Sequence, residues 1–573
     1  MISNWHKALE KYNNVLLMLF KQQPNFFNFI DTEQIKKLMN DLISQSINNP
    51  EFFLSLNMEL FEKINALITK FSFSMLNPSI DNILSQFTDK RFKSSLWYEN
   101  TQFAFLKEFY LISGEFMQKS INKLDLDKKS KQYLQFFLRQ VLDAFCPTNF
   151  IFSNPEVLEA AIQSNWQNVV DGLDNLIEDL RTSKNIFKIN ITDKNAFKFG
   201  VNIAATEGKV IMKNDLMELI CYKPKEQNYS IPILIVPPCI NKYYILDLSS
   251  HNSFVKWLVD NNFQVFLISW VNPDSKLKDK TFDDYIHEGV EASVDYIQKI
   301  FNYKKINAIG YCIGGIFLAI AMAKLKNKFL TGSFMTTLLD LSHPGDLGVF
   351  ITENIVKNLE DEMKKTGYFD GNILAHTFSL LRANDLIWSF VVNNYLLGRS
   401  PLPFDVLYWN SDSANLPPKM YSFYLRELYI ENKLKDPGKM RVRNEPIHIE
   451  NILDPVFFIA TKDDHIAPWR SVYDSMNVMR GAKKTFCLGS SGHVMGIINP
   501  PTQNKYNYWT NDTDTQSTAD DWLSRAQKHS GSWWIYWKKW ISQYSGTLIK
   551  SIDYSNIKYT EQAPGSYVKI QLI

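Results

Sequence analysis

The stretch that most constrains the fold is Ile306–Ala323, INAIGYCIGGIFLAIAMA, in which two apolar runs meet at a Gly-x-Cys-x-Gly pattern. Ile306–Ile309 suits a short buried strand, and the run from Gly315 to Lys324 suits a helix. A sharp strand-to-helix turn needs glycines around its central residue, because side chains there would clash with neighbouring backbone. Such a turn would present Cys312 as a nucleophile, with the next backbone N–H available to an oxyanion. A buried structural cysteine is the alternative explanation, and the partner residues must decide.

Two loops further along the chain carry the acid and the base that such a thiol needs. Asp464 follows the apolar run Pro455–Ala460, and His493 follows Lys484–Leu488 within the sequence GSSGH. In α/β-hydrolases the nucleophile, the acid and the histidine follow one another in this order. Each residue stands just past a predicted strand, where open α/β sheets place their sites. Order and context therefore predict a triad of Cys312, Asp464 and His493.

The residues of these loops, and a few others, have alternative roles. Considered alone, Asp464 could be a turn or helix-capping residue, and His493 an ordinary histidine of a surface loop. His465 is the rival base, but with His493 as the base it takes a supporting place beside the site. His343 is interpreted as a lid or loop residue, and Asp463 as a turn or ion-pair residue. The histidines show no metal-ligand spacing, so no metal is expected.

The pattern of apolar residues predicts two domains. Residues 1–194 are expected to be helical, because segments such as Phe52–Phe71 and Gln102–Lys119 repeat apolar residues at three- and four-residue spacing. Their apolar faces fit ordinary helix packing, and a surface for a partner or an apolar polymer is the alternative. Residues 195–573 alternate short apolar strands with helices, which predicts a parallel sheet. Between about 340 and 450 the alternation lapses, which suggests a lid over the active site.

The fold class predicted in this way is α/β: an α/β-hydrolase fold with a lid or cap insertion, preceded by a mostly helical N-terminal domain. The further strands and the helix predicted for the second domain are Val201–Met212, Met217–Tyr222, Ile231–Val236, Phe263–Ser269 and Asp283–Phe301.

Charge and cysteine content argue against several other classes of protein. The net charge is +2 and the sequence has no basic stripe, so nucleic acid is not an expected partner. The five cysteines form no Cys-x-x-Cys pair, which favours a reducing compartment over a disulfide framework. The polar start MISNWHKALEKYNN is unlike a signal peptide, and Asn307 and three glycines interrupt Ile306–Ala323. A cytoplasmic protein without a transmembrane segment is therefore expected.

A cysteine in place of serine indicates a particular kind of acyl chemistry. A thiolate attacks a thioester readily and forms another thioester of similar energy. The acyl group therefore stays activated for transfer, and an adjacent histidine makes the reactive thiolate available near neutral pH. This chemistry predicts acyl transfer from a thioester donor and leaves the acceptor open.

Longer motifs resemble those of the polyhydroxyalkanoate synthases, or poly(3-hydroxyalkanoate) polymerases. The resemblance covers roughly residue 197 to the C-terminus, and it extends more loosely upstream through PTNFIFSNPEVL. The remaining N-terminal sequence resembles the family only weakly. The motifs are VPPCINKYYILDL at Val236–Leu248, SWVNPD at Ser269–Asp274, GYCIGG at Gly310–Gly315, WNSDSANLP at Trp409–Pro417, DDHIAPW at Asp463–Trp469 and SGHVMGIINPP at Ser491–Pro501.

The resemblance implies an acyltransferase that polymerises (R)-3-hydroxyacyl-CoA into polyhydroxyalkanoate and releases CoA. It implies that Cys312 is acylated and carries the growing chain, and that His493 activates its thiol. Asp464 is implied to assist deprotonation of the incoming 3-hydroxyl group, directly or through His493. Acyl-CoA is the substrate in this family, and no cofactor is expected.

The resemblance also assigns residues that surround the triad. The backbone N–H of Ile313, with one from Cys239–Ile240, is implied to stabilise the oxyanion. Cys239 is interpreted as lining the site. Length, the Cys in VPPCIN and the Gly in SGHVMG resemble the class I type, which needs no second synthase subunit and prefers short-chain monomers such as 3-hydroxybutyryl-CoA. The family further implies homodimers, association with polymer granules through the N-terminal helical domain, and phasins as granule partners.

Two other functions are compatible with parts of the sequence. A thioesterase or depolymerase on the same scaffold would transfer the acyl group to water, but the cysteine and the long synthase motifs argue against it. A non-catalytic granule-binding protein would account for the aromatic helices, but not for an intact triad.

Overall fold

The computed structural model describes residues 31–76, 89–183, 188–511 and 517–572, together with scattered residues between 4 and 18. The chain divides into two compact units, one of residues 1–191 and 379–402 and the other of residues 192–378 and 403–573. Half of the polar start that argued against a signal peptide lies outside the described residues. In the segments that are described, no helix is both long and apolar enough to cross a membrane.

The first unit is helical, as the spacing of its apolar residues predicts. Leu67 and Phe71 of one helix pack on Ala104 of another. Side chains that precede the helices cap them: the Asp31 carboxylate accepts the N–H of Gln34, for example. The helices are α1 Thr32–Asn48, α2 Pro50–Leu76, α3 Thr101–Lys123, α4 Lys128–Ala144, α5 Pro155–Gln163 and α6 Gln167–Thr182, with a single turn at Leu96–Glu99 and π-helical turns at Asn384–Trp388 and Val391–Leu396.

Within the described residues of the second unit, eleven strands form one mixed sheet. They are β1 Gly208–Lys213, β2 Met217–Tyr222, β3 Ile233–Val236, β4 Val265–Trp270, β5 Ile306–Tyr311, β6 Phe329–Met335, β7 Val456–Thr461, β8 Lys484–Gly489, β9 Asn507–Thr510, β10 Gln527–Ser530 and β11 Glu561–Gln562. Their spatial order is β10-β9-β8-β7-β6-β5-β3-β4-β2-β1-β11. The six strands from β8 to β4 are parallel, and the outer strands pair antiparallel.

The register of the parallel strands brings their carboxyl ends to one edge of the sheet. Val236 pairs with Gly310, Tyr311 with Met335, and Thr461 with Gly489. Strands β3, β4, β5 and β7 are buried along their whole length, because helices cover both faces of a parallel sheet. The loops that follow β3, β5, β7 and β8 therefore meet at this edge.

Further helices connect the strands of the second unit, and one of them, Gly371–Leu381, extends past residue 378 into the first unit. They are α7 Phe254–Asp260, α8 Ala292–Phe301, α9 Ile313–Lys324, α10 Glu353–Thr366, α11 Gly371–Leu381, α12 Asp405–Ser411, α13 Pro418–Phe423, α14 Trp469–Met476, α15 Ala519–Arg525 and α16 Trp533–Ser542, with a turn at Phe282–Asp284 and π-helical segments at Tyr285–Glu291 and Tyr424–Ile430. Two small ladders pair Gln227–Tyr229 with Leu548–Lys550 and Arg441–Val442 with Glu445–Pro446.

One strand is shorter in the structure than its sequence suggests. The sequence predicts extended backbone throughout Val201–Met212, but β1 begins only at Gly208. Gly200 has a φ of 76° and Ala204 a φ of 49°, and this left-handed backbone prevents an extended strand. The apolar residues at this point fill the core as a loop instead, with Ile203 and Ala204 buried.

Candidate active site

Cys312 lies at the sharp turn between β5 and α9. Its φ of 53° and ψ of −124° are a strained conformation for a residue with a side chain, of the kind found at functional turns. Three hydrogen bonds hold it: the Cys312 N–H donates to the Met335 carbonyl (2.9 Å), and its carbonyl accepts the Gly315 N–H (2.9 Å) and the Thr337 hydroxyl (3.2 Å). The thiol is therefore fixed at the edge where the parallel strands end.

Two of the glycines of GYCIGG, Gly310 and Gly314, are required by close approach of backbone to backbone. A Cβ atom on Gly314 would overlap the carbonyl oxygens of Val236 and Pro237, and one on Gly310 would overlap the backbone of Gly315. The nucleophile turn thus packs directly on the end of β3. This contact explains why the turn and the VPPCIN loop that follows β3 belong to one site.

Exposure to solvent distinguishes Cys312 from the other cysteines. All five are free thiols; Cys312 is partly exposed, whereas Cys146, Cys221, Cys239 and Cys487 are buried. Burial raises the pKa of the Cys221 and Cys239 thiols, which keeps both protonated. A reactive thiol must be reachable by its substrate, so Cys312 is the cysteine suited to that role.

Asp464 lies in the loop after β7 with both carboxylate oxygens engaged and its side chain 0% exposed. Its Oδ1 accepts the N–H groups of Ile466 and Ala467, both at 2.8 Å. Its Oδ2 accepts the His493 Nδ1–H at 2.7 Å and the Thr461 hydroxyl at 3.3 Å. The carboxylate is therefore held in one orientation and fixes Nδ1 of His493 as the protonated nitrogen.

His493, in the loop after β8, joins the acid to the thiol. With Nδ1 bonded to Asp464, Nε2 is left for Cys312, which is near enough to His493 to raise its pKa. Burial, with the side chain 12% exposed, acts to lower the His493 pKa. The Asp464 charge, the hydrogen bond to Asp464 and the nearby Cys312 outweigh burial and raise the pKa of His493 to about 10. The imidazole therefore takes up a proton readily.

Aromatic residues hold His493 in place. The Tyr311 ring stacks on the imidazole with centroids 5.6 Å apart, and its hydroxyl donates to the His493 carbonyl at 2.9 Å. Burial raises the Tyr311 pKa, and the charges of Cys312 and Asp464 raise it further, so Tyr311 stays neutral. The indole N–H groups of Trp533 and Trp534 in α16 donate to carbonyls of the same loop, at Gly496 and Ile497.

The loop after β3 lies beside the thiol. Cys239 is near enough to Cys312 for charge on the Cys312 thiol to raise the Cys239 pKa. In the part of the chain that the structure describes, the Ile240 N–H makes no hydrogen bond. Ile313 is the first residue of α9, so its N–H has no carbonyl partner within the helix. Two N–H groups are thus available for a negatively charged oxygen.

Tyrosines of the segment Pro418–Ile430 also approach Cys312. The Tyr424 and Tyr429 rings are 5.3 Å apart and nearly perpendicular, and the Tyr424 hydroxyl donates to that of Tyr429 at 3.5 Å. Burial raises the pKa of both, and charge on Cys312 raises each further. The aromatic content of this stretch indicates a cover over the site, but only the structure identifies Tyr429 as a neighbour of the thiol.

Three other residues considered in the sequence lie at the periphery. His465 is exposed, unlike Asp464 before it, and its carbonyl faces Gly345. The Asp463 N–H donates to the Ser491 carbonyl, and the His343 carbonyl accepts the Ser471 hydroxyl. Among the residues that the structure describes, no three His, Cys, Asp or Glu side chains are grouped to hold a metal ion.

Two residues of the quoted motifs form a buried ion pair that sequence reasoning missed. They are Lys242 of VPPCINK and Asp412 of WNSDSANLP, whose side chains are 2.7 Å apart. The sequence offers one signal for this pair: a lysine and an aspartate stand inside long apolar or turn-rich motifs. The distance between them along the chain hides the pairing.

The arrangement can perform acyl transfer. A thiol, an imidazole near it and a buried carboxylate behind the imidazole supply a nucleophile with a base. The backbone N–H groups of Ile313 and Ile240 can stabilise the oxyanion of a tetrahedral intermediate.

Comparison with known families identifies relatives along almost the whole chain. The family described as poly-beta-hydroxybutyrate polymerase (PhaC) N-terminus matches residues 88–258, and the alpha/beta hydrolase fold family matches residues 232–500. The latter match, together with the sheet, confirms the predicted α/β-hydrolase fold. The poly(3-hydroxyalkanoate) polymerase subunit PhaC of Rhizobium meliloti is 35% identical over 556 residues, which cover 94% of this chain and 90% of that protein.

Two further relatives are more similar over a shorter span. The poly(3-hydroxyalkanoate) polymerase subunit PhaC of Cupriavidus necator is 39% identical over 494 residues, 84% of this chain and 83% of that protein. The poly(3-hydroxyalkanoate) polymerase of Methylorubrum extorquens is 38% identical over 493 residues, 84% of this chain and 81% of that protein.

Proposed function

The chain belongs to the poly(3-hydroxyalkanoate) polymerase family, and we propose that it polymerises short-chain (R)-3-hydroxyacyl-CoA through a thioester on Cys312. The observation that carries the proposal is that Cys312 lies near His493, which is hydrogen bonded to the buried Asp464, at the carboxyl edge of the parallel strands. A serine at this position would form a stable ester, whereas a cysteine keeps the acyl group activated for a further transfer.

In the first step the Cys312 thiol gives its proton to Nε2 of His493, and the thiolate attacks the carbonyl carbon of the acyl-CoA. The resulting oxyanion accepts hydrogen bonds from the backbone N–H groups of Ile313 and Ile240. Collapse of the intermediate breaks the carbon–sulfur bond to CoA, and the CoA thiolate takes the proton from His493. The products are acyl-Cys312 and free CoA.

In the second step the 3-hydroxyl group of another 3-hydroxyacyl-CoA gives its proton to His493 and attacks the acyl-Cys312 carbonyl. An ester bond forms, the Cys312 sulfur leaves and regains the proton, and the extended acyl-CoA can acylate Cys312 again. Asp464 acts through His493, because its side chain is buried and both of its oxygens already accept hydrogen bonds. It orients the imidazole and stabilises the imidazolium.

Incubation with (R)-3-hydroxybutyryl-CoA tests this function. Free CoA together with insoluble polymer is the expected result. Soluble hydroxyacid as the sole acyl product would indicate a thioesterase and contradict the proposal. Repeating the assay with longer acyl chains measures the monomer range, and we expect the rate to fall with length. Cys146→Ala, in the first unit, is the control for Cys312→Ala.

We also propose that the helical first unit binds the polymer surface. The enzyme would then work in the cytoplasm on polymer granules. It would act there as a homodimer, with phasins as its granule partners. Apolar side chains on α1 and α2 support this, because they are exposed: Ile47 by 71%, Leu54 by 61% and Phe61 by 66%. Replacement of Leu54 and Phe61 by Ser should lower sedimentation with polymer particles and leave CoA release from soluble substrate intact. Unchanged sedimentation would contradict this role.

A further inference from the structure

Lys242 and Asp412 form an ion pair that is almost wholly withdrawn from water. The Lys242 Nζ and Asp412 Oδ1 atoms are 2.7 Å apart, and the two side chains are 3% and 2% exposed. Burial lowers the pKa of Lys242, and the Asp412 charge works against that shift. A buried ion pair is often no more stabilising than apolar residues of the same volume, so stability alone does not explain its position.

The pair joins two segments that meet beside the active site. Lys242 ends the loop that carries Cys239 and Ile240, and Asp412 follows α12. The Trp409 indole N–H donates to the Lys242 carbonyl at 2.8 Å. Asn241 pairs with Ser413 as an antiparallel bridge, and the Ala414 N–H donates to the Ile240 carbonyl at 3.3 Å. Each residue from Ile240 to Lys242 is therefore tied to the segment 409–414.

Further hydrogen bonds fix both charged groups. Lys242 Nζ donates to the Val568 carbonyl at 2.9 Å, and the Tyr244 hydroxyl donates to Asp412 Oδ2 at 3.0 Å. The ion pair thus has partners on both sides and permits little movement. Charge-assisted hydrogen bonds have strict geometry, which suits them to holding a backbone segment within a few tenths of an ångström.

We propose that the Lys242–Asp412 ion pair is a positioning device for the oxyanion site, which holds the loop so that the Ile240 N–H faces the acyl group on Cys312. This inference rests on the proposed function. Donors to an oxyanion act only if they are preorganised, and loss of one donor lowers turnover by about 10²- to 10³-fold. If the loop is displaced but its N–H donor is still present, turnover should fall by less than that. Lys242 and Asp412 contact no reacting atom. Their replacement should therefore lower kcat without changing KM or the reactivity of the Cys312 thiol.

The test uses the full-length protein and a double replacement, Lys242→Met with Asp412→Leu, which exchanges the pair for apolar side chains of similar size. Tyr244→Phe is a milder second variant, because it removes one hydroxyl from Asp412. Lys256→Met is the control, since it breaks an exposed ion pair with Asp260. The measurements are kcat and KM for CoA release from 3-hydroxybutyryl-CoA, the rate of iodoacetamide labelling of Cys312, and the unfolding temperature.

A positioning role predicts a selective loss of turnover. The double variant should lose about 10- to 100-fold in kcat, Tyr244→Phe should lose a few-fold, and KM and Cys312 labelling should stay within about twofold. A folded double variant with wild-type kcat would overturn the inference, and if that variant does not fold, wild-type kcat for Tyr244→Phe would overturn it. Wild-type protein that neither labels at Cys312 nor releases CoA would instead refute the proposed function.

Discussion

Replacement of Asp464 by Asn removes the charge that stabilises the His493 imidazolium. The His493 pKa is raised above its ordinary value, so the folded protein stabilises the protonated ring. That stabilisation is fully present below pH 6.5 and is lost as the pH rises through about 10. Without the Asp464 charge the His493 pKa falls, because burial opposes protonation of the ring. The imidazole would then take the proton of the Cys312 thiol less readily.

The size of the effect follows from the two pKa values. The difference between 6.5 and about 10 corresponds to about 5 kcal/mol, at about 1.36 kcal/mol for each tenfold change in proton affinity. Asp464 supplies the largest part of this, and Cys312 supplies the remainder. We therefore expect Asp464→Asn to slow CoA release by roughly 10²- to 10⁴-fold at pH 7, and to slow alkylation of Cys312 by a smaller factor.

Iodoacetamide labelling of Cys312, followed by peptide mass spectrometry across pH 6 to 10, measures this directly. Wild-type protein should label faster than Asp464→Asn at pH 7. That difference should shrink as the pH rises through about 10, where His493 loses its proton. Asp463→Asn is the matched control, because this neighbouring carboxylate is exposed. Wild-type labelling of Asp464→Asn at pH 7, or an equal loss in Asp463→Asn, would refute the reasoning.

Two other substitutions separate chemistry from folding. Cys312→Ala should abolish CoA release, whereas Cys146→Ala should leave it intact; residual turnover by Cys312→Ala would exclude this residue as the nucleophile. Gly314→Ala should lower the free energy of unfolding by about 2 kcal/mol or more, because its Cβ would overlap the Val236 carbonyl. Gly114→Ala, in the middle of α3, should instead be neutral or stabilising by up to about 1 kcal/mol, because its Cβ would lie 3.5 Å from Leu142; thermal unfolding of both variants decides this.

The central strands are predictable because a strand covered on both faces is apolar along its length. The predicted run Pro455–Ala460 is β7, Val456–Thr461, and Lys484–Leu488 is β8, Lys484–Gly489. The segment Val201–Glu207 is not predictable in this way, since Ile203 and Ala204 are buried in a loop whose left-handed turns leave little trace in the sequence. A pattern of buried residues shows which positions are covered, but not always the path of the backbone between them.

For the candidate site, the sequence places the thiol, the acid and the histidine in loops that the sheet brings to one edge. The 2.7 Å bond between Asp464 and His493 depends on the register of β7 on β8, because each residue lies only a few positions beyond the end of its strand. The pairing of Lys242 with Asp412 depends instead on how the segment around α12 folds over the edge. No periodicity encodes that contact, so it is visible only in three dimensions.

The central claim is that Cys312 carries the acyl chain. Wild-type protein mixed briefly with (R)-3-hydroxybutyryl-CoA, quenched in acid and digested should yield the Cys312 peptide bearing one or more 3-hydroxybutyryl groups. The modification should be released by hydroxylamine, as a thioester is, and free CoA should appear with it. Release of CoA while the Cys312 peptide stays unmodified, or an acyl group on a different residue, would contradict the account.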